Sequence, residues 1–352
     1  MTEGELDASR WFPRYPIDEH GFARAQDVSD VGGLRAALER HGVVVVDALD
    51  GPRCERAVAA MFEEIEAMKA EVRARALRPA RRRERSREAT DVVVRPDDPE
   101  TWATEHWPSP SKFLLPRPAL HPEALRNRVD ARVHRVFSAL WGDERLRVTI
   151  DNWGVVRGTR GLRARDGSRF DRPDWDAAIG PHWDYNPWLW LQERAEGRDP
   201  GYQGLVALVD QPPGSGCHRT LPGCTRYLAR YCAEREHPAR LGLKRGSYRP
   251  RSDDPIVASM QELPLRRGHM VIWSWGQLHG SAPNDSSRLR LHQYIRMFPA
   301  RELDPLYELH DRYAPARIAA RHQGALTRSL EALAPELDLR ARRLLGLERW
   351  PS

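Results

Sequence analysis

The sequence has few cysteines and no long apolar run. Its 352 residues include four cysteines, too few for a disulfide scaffold, so we expect reduced thiols in a cytoplasmic protein. No segment approaches the roughly 20 apolar residues that cross a bilayer, so we expect no membrane association. The acidic, polar start MTEGELDASRW is unlike the charged and apolar pattern of a signal peptide.

Lysine is also scarce, and arginine carries the positive charge. The net charge is +6 and the pI about 9.3, a mild excess that would suit an anionic partner without indicating a fold. Residues 73–88, RARALRPARRRERSRE, are the densest arginine run. Such runs are usually solvated helix ends or loops, and the alternative is a clamp on an anionic ligand. No aromatic residue lies within the run, which argues against nucleic acid.

The chain shows no internal repeat and no low-complexity linker, which favours a single domain. Its length suggests about two domains by size alone, but barrel folds often use this length for one. We divide it into an N-terminal arm (1–35), a helical and basic part (36–140), a β core (141–299) and C-terminal helices (300–352). The 40% of hydrophobic residues is enough for a sizeable core.

The two ends of the chain have helical patterns. In LRAALERHGVVVVDAL a short helix leads through Gly42 into a β-branched strand, Val43–Val46. The next apolar positions recur at intervals of three and four, which predicts an amphipathic helix over 58–72. The last 50 residues return to apolar spacings typical of helices.

From about residue 141 the pattern changes to short β-like segments separated by turns that contain Gly and Pro. This pattern predicts a sandwich or barrel, and hence a mainly β fold with flanking helices. The predicted strands are Arg147–Val156, Pro181–Leu191, Gly204–Asp210, His218–Leu221, Val257–Leu265, His269–Trp275 and Arg288–Phe298.

One of these strands, PHWDYNPWLW (181–190), carries His182 and Asp184 two residues apart. Alternation along a strand puts both side chains on one face and Trp183 on the other. A lone His-x-Asp is a weak signal, but GHMVIWSWGQLHGSAPNDSSRLR (268–290) adds His279, and Arg290 eleven residues later. Two imidazoles and one carboxylate form the facial triad of non-haem Fe(II) oxygenases. Arginine supplies the planar fork that a dicarboxylic co-substrate requires.

With these motifs the sequence resembles the phytanoyl-CoA dioxygenase family of Fe(II)/2-oxoglutarate oxygenases. The resemblance runs from about residue 34 to residue 299. It is carried by LERHGVVVVDAL, HWDYNPW, GLVALVDQPPGSGCHRTLPGCT and GHMVIWSWGQLHGSAPNDSSRLRLHQYIRMFP. The chain departs from the family in one place, where PGCT replaces the usual PGSH.

The resemblance implies a double-stranded β-helix, that is, a cupin-like jelly roll. It also implies Fe(II), 2-oxoglutarate and O₂ as cofactor and co-substrates. The iron ligands it implies are His182, Asp184 and His279. It assigns Arg290 to the distal carboxylate of 2-oxoglutarate, with Ser281 in support.

A strand before the triad contributes to the co-substrate pocket in this family. Here that strand is DNWGVVRGT (151–159), whose candidates are Asn152 and Arg157. Alternation allows at most one of the two to point inward.

The implied reaction is hydroxylation or desaturation of a small molecule, with release of succinate and CO₂. Related halogenases have a small residue in place of the carboxylate ligand, so Asp184 favours oxygenation. Two alternatives stay open. One is a cupin-like metalloenzyme that does not use 2-oxoglutarate. The other is a non-catalytic module that binds polyanions through Arg73–Arg87.

Several further residues have two interpretations. His292 and Tyr294 share the strand face of Arg290, and either line the pocket or belong to the core. Lys112 and Arg117 lie either on a lid or on solvated surface.

Arg288 faces the same side as Arg290, so periodicity cannot choose between them. Arg290 lies deeper along the strand and matches the family offset from His279. A zinc site among Cys217, His218, Cys224 and Cys232 is disfavoured because no close cysteine pair exists.

Overall fold

The N-terminal part of the protein confirms the predicted helix, turn and strand. In this computed structural model, which describes residues 11–76, 90–108, 114–235, 246–300 and 315–351, helix α1 ends at Gly42 with a left-handed φ of 70°. The backbone then enters strand β1, whose four valines are completely buried. Most of the arginine-dense run and Lys112 lie outside the described residues.

The described residues form nine α-helices and thirteen strands. The helices are α1 Val31–His41, α2 Gly51–Ala76, α3 Pro122–Arg128, α4 Ala131–Trp141, α5 Pro187–Ala195, α6 Cys224–Ala233, α7 Pro255–Ala258, α8 Pro315–Leu333 and α9 Leu339–Leu344. The strands are β1 Val43–Asp47, β2 Leu114–Pro118, β3 Leu146–Val148, β4 Asn152–Val156, β5 Leu162–Arg163, β6 Arg169–Phe170, β7 Tyr202–Ala207, β8 His218–Thr220, β9 Gln261–Leu263, β10 His269–Ser274, β11 His279–Ser281, β12 Arg290–Ile295 and β13 Met297–Pro299. The fold is mainly β with helices at both ends, as predicted.

A six-stranded sheet of order β1-β10-β7-β12-β4-β2 forms the larger β layer. All its neighbouring strands are antiparallel. Successive side chains along each strand point to opposite faces of this sheet. On β1, Val44 and Val46 join the core beneath the helices. Val43 and Val45 join a second core on the other face, which includes Leu263 of β9.

That second face packs against a three-stranded sheet of order β11-β8-β9. A cavity of about 730 Å³ lies between the two layers and is lined by residues of β7, β10 and β12 on one side and of β8 and β11 on the other. Two antiparallel sheets around a cavity agree with a jelly roll. The double-stranded β-helix itself stays a prediction, as does the division into an arm, a basic part, a β core and C-terminal helices.

The helices cover the outer face of the large sheet. Asn127 of α3 donates to Gln293 of β12 (3.1 Å), and Gln293 donates back to the Ala124 carbonyl (2.8 Å). At the other end of the chain, the Trp350 indole donates to the Leu146 carbonyl (2.8 Å). Among the described helices, none is both long enough and apolar enough to cross a bilayer.

The predicted strand over 181–191 is wrong. Only His182 and Trp183 make β-bridges, and α5 begins at Pro187. The Asn186 side chain accepts from the backbone amides of Trp188 and Leu189, and proline suits the first helical turn. This capping signal outweighs the β propensity of the aromatic residues.

Two other predicted strands are shortened for local reasons. Asp254 caps a short helix, α7, where the strand over 257–265 was expected to begin, and β9 covers only the last part. The strand over 147–156 is broken between β3, which pairs with β13, and β4, which pairs with β12. At the break the buried Arg128 guanidinium donates to the carbonyls of Thr149 and Asp151 (3.1 and 2.6 Å).

Candidate metal centre

Two distant histidines lie side by side at one end of the cavity. His182 and His279 exchange backbone hydrogen bonds, with N···O distances of 2.9 and 3.0 Å. Their rings point to the same side, with centroids 4.4 Å apart. The short strand β11 fixes His279, because β8 pairs with it along its whole length.

Asp184 completes the group. Its two carboxylate oxygens lie 3.5 Å from His182 Nε2 and 3.2 Å from His279 Nε2. One ligand atom from each of the three residues lies within 4.8 Å of the other two. His182 and Asp184 share a face although the segment is not a regular strand. The β-bridge at Trp183 directs the Trp183 side chain to the opposite side, where it packs in an aromatic core.

The backbone fixes the histidine tautomers. His182 Nδ1 lies 3.0 Å from the Gly180 carbonyl, and His279 Nδ1 lies 3.0 Å from the Gln277 carbonyl. Each carbonyl accepts, so each Nδ1 carries a proton and each Nε2 faces Asp184, where its lone pair becomes available to a metal once the ring is neutral. Metal-binding histidines are oriented in this way.

Electrostatics favour the ionised carboxylate. Burial opposes the charge of Asp184, but attraction to His279 and hydrogen bonds from both histidines hold its pKa well below the ordinary value. Burial also opposes charge on His182, yet Asp184 outweighs it and raises the His182 pKa. Gln203 of β7 donates to the second carboxylate oxygen. Asp184 is therefore a fixed anion.

The donor set fits a divalent iron. Two neutral imidazole nitrogens and one carboxylate suit Fe(II) and supply three positions on one side of a metal. The other side would face the cavity, which all three residues line. Among the described residues this is the one group of three or more potential ligands close enough for a metal.

Arg290 also lines this cavity. Its side chain is 2% exposed, and Nε donates to Gln211 Oε1 (3.2 Å). No carboxylate among the described residues pairs with it, and burial lowers its pKa. An unpaired buried guanidinium is costly, so this position is suited to an anionic ligand. Arg288, by contrast, is exposed and lines a separate surface groove.

Other predicted residues divide between the cavity and its surroundings. The Ser281 hydroxyl accepts from the Ile179 amide (2.8 Å) and lines the cavity. Asn152 lines it too, while its amide donates to the Leu115 carbonyl (2.6 Å). Arg157 is not brought there: it donates to the Trp102 carbonyl (2.7 Å) and lies 4.7 Å from the Trp175 ring centroid.

His292 and Tyr294 of β12, for which both a pocket and a core position were open, differ in position. Tyr294 lines the cavity. His292 is buried against Gly154 and does not line it. Burial and the neighbouring Arg290 hold the His292 pKa well below its ordinary value, so the ring is neutral.

Several cavity residues were not predicted. They are Gln203, His218, Arg249 and the buried ion pair between Asp151 and Arg296. Gln211, which accepts from Arg290, was not predicted either. The interval of six residues from Arg290 to Arg296 was visible in the sequence, since alternation along the predicted strand Arg288–Phe298 puts both on one face. Nothing in the sequence pairs the other residues with the triad.

The four cysteines are unpaired and buried. No cysteine belongs to a potential metal site within the described residues.

Comparison with known proteins identifies the family. The family model described as phytanoyl-CoA dioxygenase (PhyH) matches residues 38–291. The chain belongs to this family. A Dictyostelium discoideum protein named "Putative phytanoyl-CoA dioxygenase" is 23% identical over 227 residues, which cover 57% of this chain and 60% of that protein. This phytanoyl-CoA dioxygenase family member thus matches less than two thirds of that relative's length.

Two solved structures resemble the chain in fold. GlcNAc Inducible Gene 2 of Candida albicans gives a TM-score of 0.60 at 11% identity, covering 98% of this chain and 82% of that chain. A hypothetical protein of Escherichia coli gives 0.53 at 13% identity, covering 92% and 85%. At such identities the likeness shows the fold alone.

Proposed function

We propose that this protein is an Fe(II)/2-oxoglutarate-dependent dioxygenase that hydroxylates or desaturates a small molecule. One observation carries the proposal. A two-histidine, one-carboxylate group and a buried, unpaired Arg290 line the same cavity. Family membership supports this assignment, while the substrate and the product are part of the proposal.

Iron would be held by His182 Nε2, His279 Nε2 and Asp184. The Gly180 and Gln277 carbonyls keep both imidazoles in the correct tautomer, and Gln203 holds the carboxylate. When bound, Fe(II) with 2-oxoglutarate and O₂ supplies oxidising chemistry that releases succinate and CO₂. Retention of Asp184 favours transfer of oxygen or desaturation over halogenation.

The distal carboxylate of 2-oxoglutarate would bind Arg290. Gln211 orients the guanidinium through Nε, which leaves the two terminal nitrogens for a bidentate contact. The Ser281 hydroxyl accepts from Ile179, so its own proton is free to be donated to the same carboxylate. A cupin-like enzyme without 2-oxoglutarate would need another anionic ligand to pair with this buried cation.

Part of the remaining wall is apolar. Leu205, Trp273 and Ile179 supply apolar surface beside the ligands. His218 packs on Trp273, with ring centroids 4.6 Å apart. Burial first, and then the neighbouring His279 and Arg290, hold the His218 pKa well below its ordinary value, so this ring stays neutral.

The test is metal-dependent release of succinate. Wild-type protein with Fe(II), O₂ and 2-oxoglutarate should form succinate and CO₂, and a substrate found in a metabolite panel should stimulate that formation. His182→Ala should abolish both iron binding and succinate release. His20→Ala is the matched control, because the His20 side chain is 65% exposed and lies outside the cavity. Unchanged iron affinity in His182→Ala would remove the assignment.

The polyanion-binding alternative depends on Arg73–Arg87, most of which lies outside the described residues. The cytoplasmic location also stays a prediction.

A further inference from the structure

The segment that holds His182 and Asp184 has a second neighbour in the fold. On one side His182 bridges to His279, and on the other side Trp183 bridges to Tyr248. Trp183 and Tyr248 exchange both backbone hydrogen bonds, at 2.8 and 2.9 Å. In an antiparallel pair this register puts residue 249 opposite His182.

Cross-strand neighbours point to the same face. Trp183 and Tyr248 therefore point together into the aromatic core, where their rings lie 5.8 Å apart. His182 and Arg249 point to the other face, and both line the cavity. Arg249 Nη1 lies 3.4 Å from the point where a Cβ on Gly180 would be, so the guanidinium lies beside the residue that fixes the His182 tautomer.

Arg249 is also a cavity residue whose charge has no partner within the site, and it is exposed where the cavity opens to solvent. Within the described part of the chain, no carboxylate and no hydrogen-bond acceptor contacts its guanidinium. Arg296, the other arginine besides Arg290 on the cavity wall, already pairs with Asp151. With iron and 2-oxoglutarate bound, the charges of Fe(II) and Arg290 would be balanced by Asp184 and the two carboxylates of the co-substrate. A single positive charge would then remain, at Arg249.

We infer that the substrate is a carboxylic acid whose carboxylate binds Arg249 at the cavity mouth. This inference rests on the proposed function and goes beyond it, because it names the substrate class and the residue that selects it. A planar carboxylate matches the guanidinium fork and carries the one charge required. Since Arg249 is opposite His182, the carbon that is oxidised should lie close to the acid group.

The test measures binding without turnover. The protein is loaded anaerobically with Mn(II) and saturating 2-oxoglutarate, and hexanoate is titrated while the paramagnetic broadening of its proton NMR lines is followed. Hexanamide and hexyl phosphate are the neutral and the phosphate comparison probes. Saturating 2-oxoglutarate keeps hexanoate away from Arg290, and broadening reports only sites near the metal.

Hexanoate should bind the wild type saturably, and its affinity for Arg249→Gln should be at least tenfold lower. Arg249→Lys, which keeps the charge without the fork, should fall between them, and hexanamide should bind no better than hexanoate does to Arg249→Gln. Arg251→Gln is the matched control and should be unchanged, because Arg251 is exposed, pairs with Asp253 and lies outside the cavity.

Three results would overturn the inference. They are no saturable hexanoate binding by the wild type, affinity within twofold in Arg249→Gln, and tighter binding of hexyl phosphate than of hexanoate. Failure of the proposed function would look different, since Mn(II) would then cause no broadening of any probe. Saturation-transfer NMR on the metal-free protein would in that case still compare hexanoate binding by the wild type and Arg249→Gln.

Discussion

Arg288 and Arg290 lie two residues apart, yet they meet different surroundings. Arg290 is buried at the cavity wall with no carboxylate partner among the described residues, while Arg288 is exposed in another groove. Sequence alternation could not separate them, because both face one side of a strand. Depth along the strand and the family offset from His279 favoured Arg290, and the structure places that residue at the cavity.

We expect Arg290→Lys to raise the KM for 2-oxoglutarate at least tenfold, about 1.4 kcal/mol, because lysine keeps the charge but loses the bidentate fork. Mn(II) affinity should be unchanged, since Arg290 is not a ligand. The measurement is substrate-uncoupled succinate formation against 2-oxoglutarate concentration. Arg288→Lys is the control and should stay within twofold. The reverse pattern would transfer the co-substrate role to Arg288.

The residues that could be predicted are those whose chemistry and spacing both appear in the sequence. His182, Asp184 and His279 are such residues, and the structure brings them together. Gln203 and Arg249 are not, because each reaches the site through strand pairing. Glutamine and arginine are common on solvated surfaces, so composition gave no reason to choose them.

At the scale of elements, two local signals competed over residues 181–191. The aromatic residues favour a strand, whereas Asn186 and Pro187 favour the start of a helix. The helix forms because its buried positions, Pro187, Trp190 and Glu193, recur every three residues. The wrong prediction came from weighting propensity above capping.

Strand β4 depends on a glycine opposite His292. A Cβ on Gly154 would lie 2.0 Å from His292 Nε2, and the histidine is 1% exposed and cannot move into solvent. We expect Gly154→Ala to lower the free energy of unfolding by about 1–3 kcal/mol, the usual cost of overpacking a core. Chemical denaturation measures it.

Gly32→Ala is the matched control for that change. Gly32 lies in α1 with its nearest neighbour, Asp30 Oδ1, 3.6 Å from the added carbon. Alanine in a helix is favoured over glycine by roughly 0.5–1 kcal/mol, so this variant should be neutral or more stable. A Gly154→Ala variant that is as stable as the wild type would show that His292 yields to the added methyl group.

For the whole molecule, the β core between terminal helices was predictable because turn residues and apolar spacings are local features. The order of strands was not. The central neighbours β10, β7 and β12 come from distant parts of the chain, and the sequence does not state which strands pair. The cavity between the sheets follows from that pairing, so its lining could be predicted only where a motif marked it.

The arginine-dense run bears on the charge of the whole protein. If it is solvated surface, replacing Arg81, Arg82 and Arg83 with Ser should leave turnover of an identified substrate within about twofold. Steady-state kinetics give the answer. A tenfold rise in substrate KM, about 1.4 kcal/mol, would mean that the run helps to bind the substrate.

Metal binding should stabilise the whole molecule, because the ligands join separate parts of the chain. His182 and Asp184 precede α5, His279 belongs to β11, and β7 holds Asp184 through Gln203. A metal that binds only the folded state adds about 2.7 kcal/mol to the free energy of unfolding at one hundred times its Kd. Anaerobic thermal unfolding at rising Mn(II) should therefore show a Tm that climbs with concentration in the wild type and in His20→Ala. In His182→Ala the Tm should stay constant. An equal rise in that variant would mean that the stabilising metal binds elsewhere, and the triad would lose its role in holding these segments together.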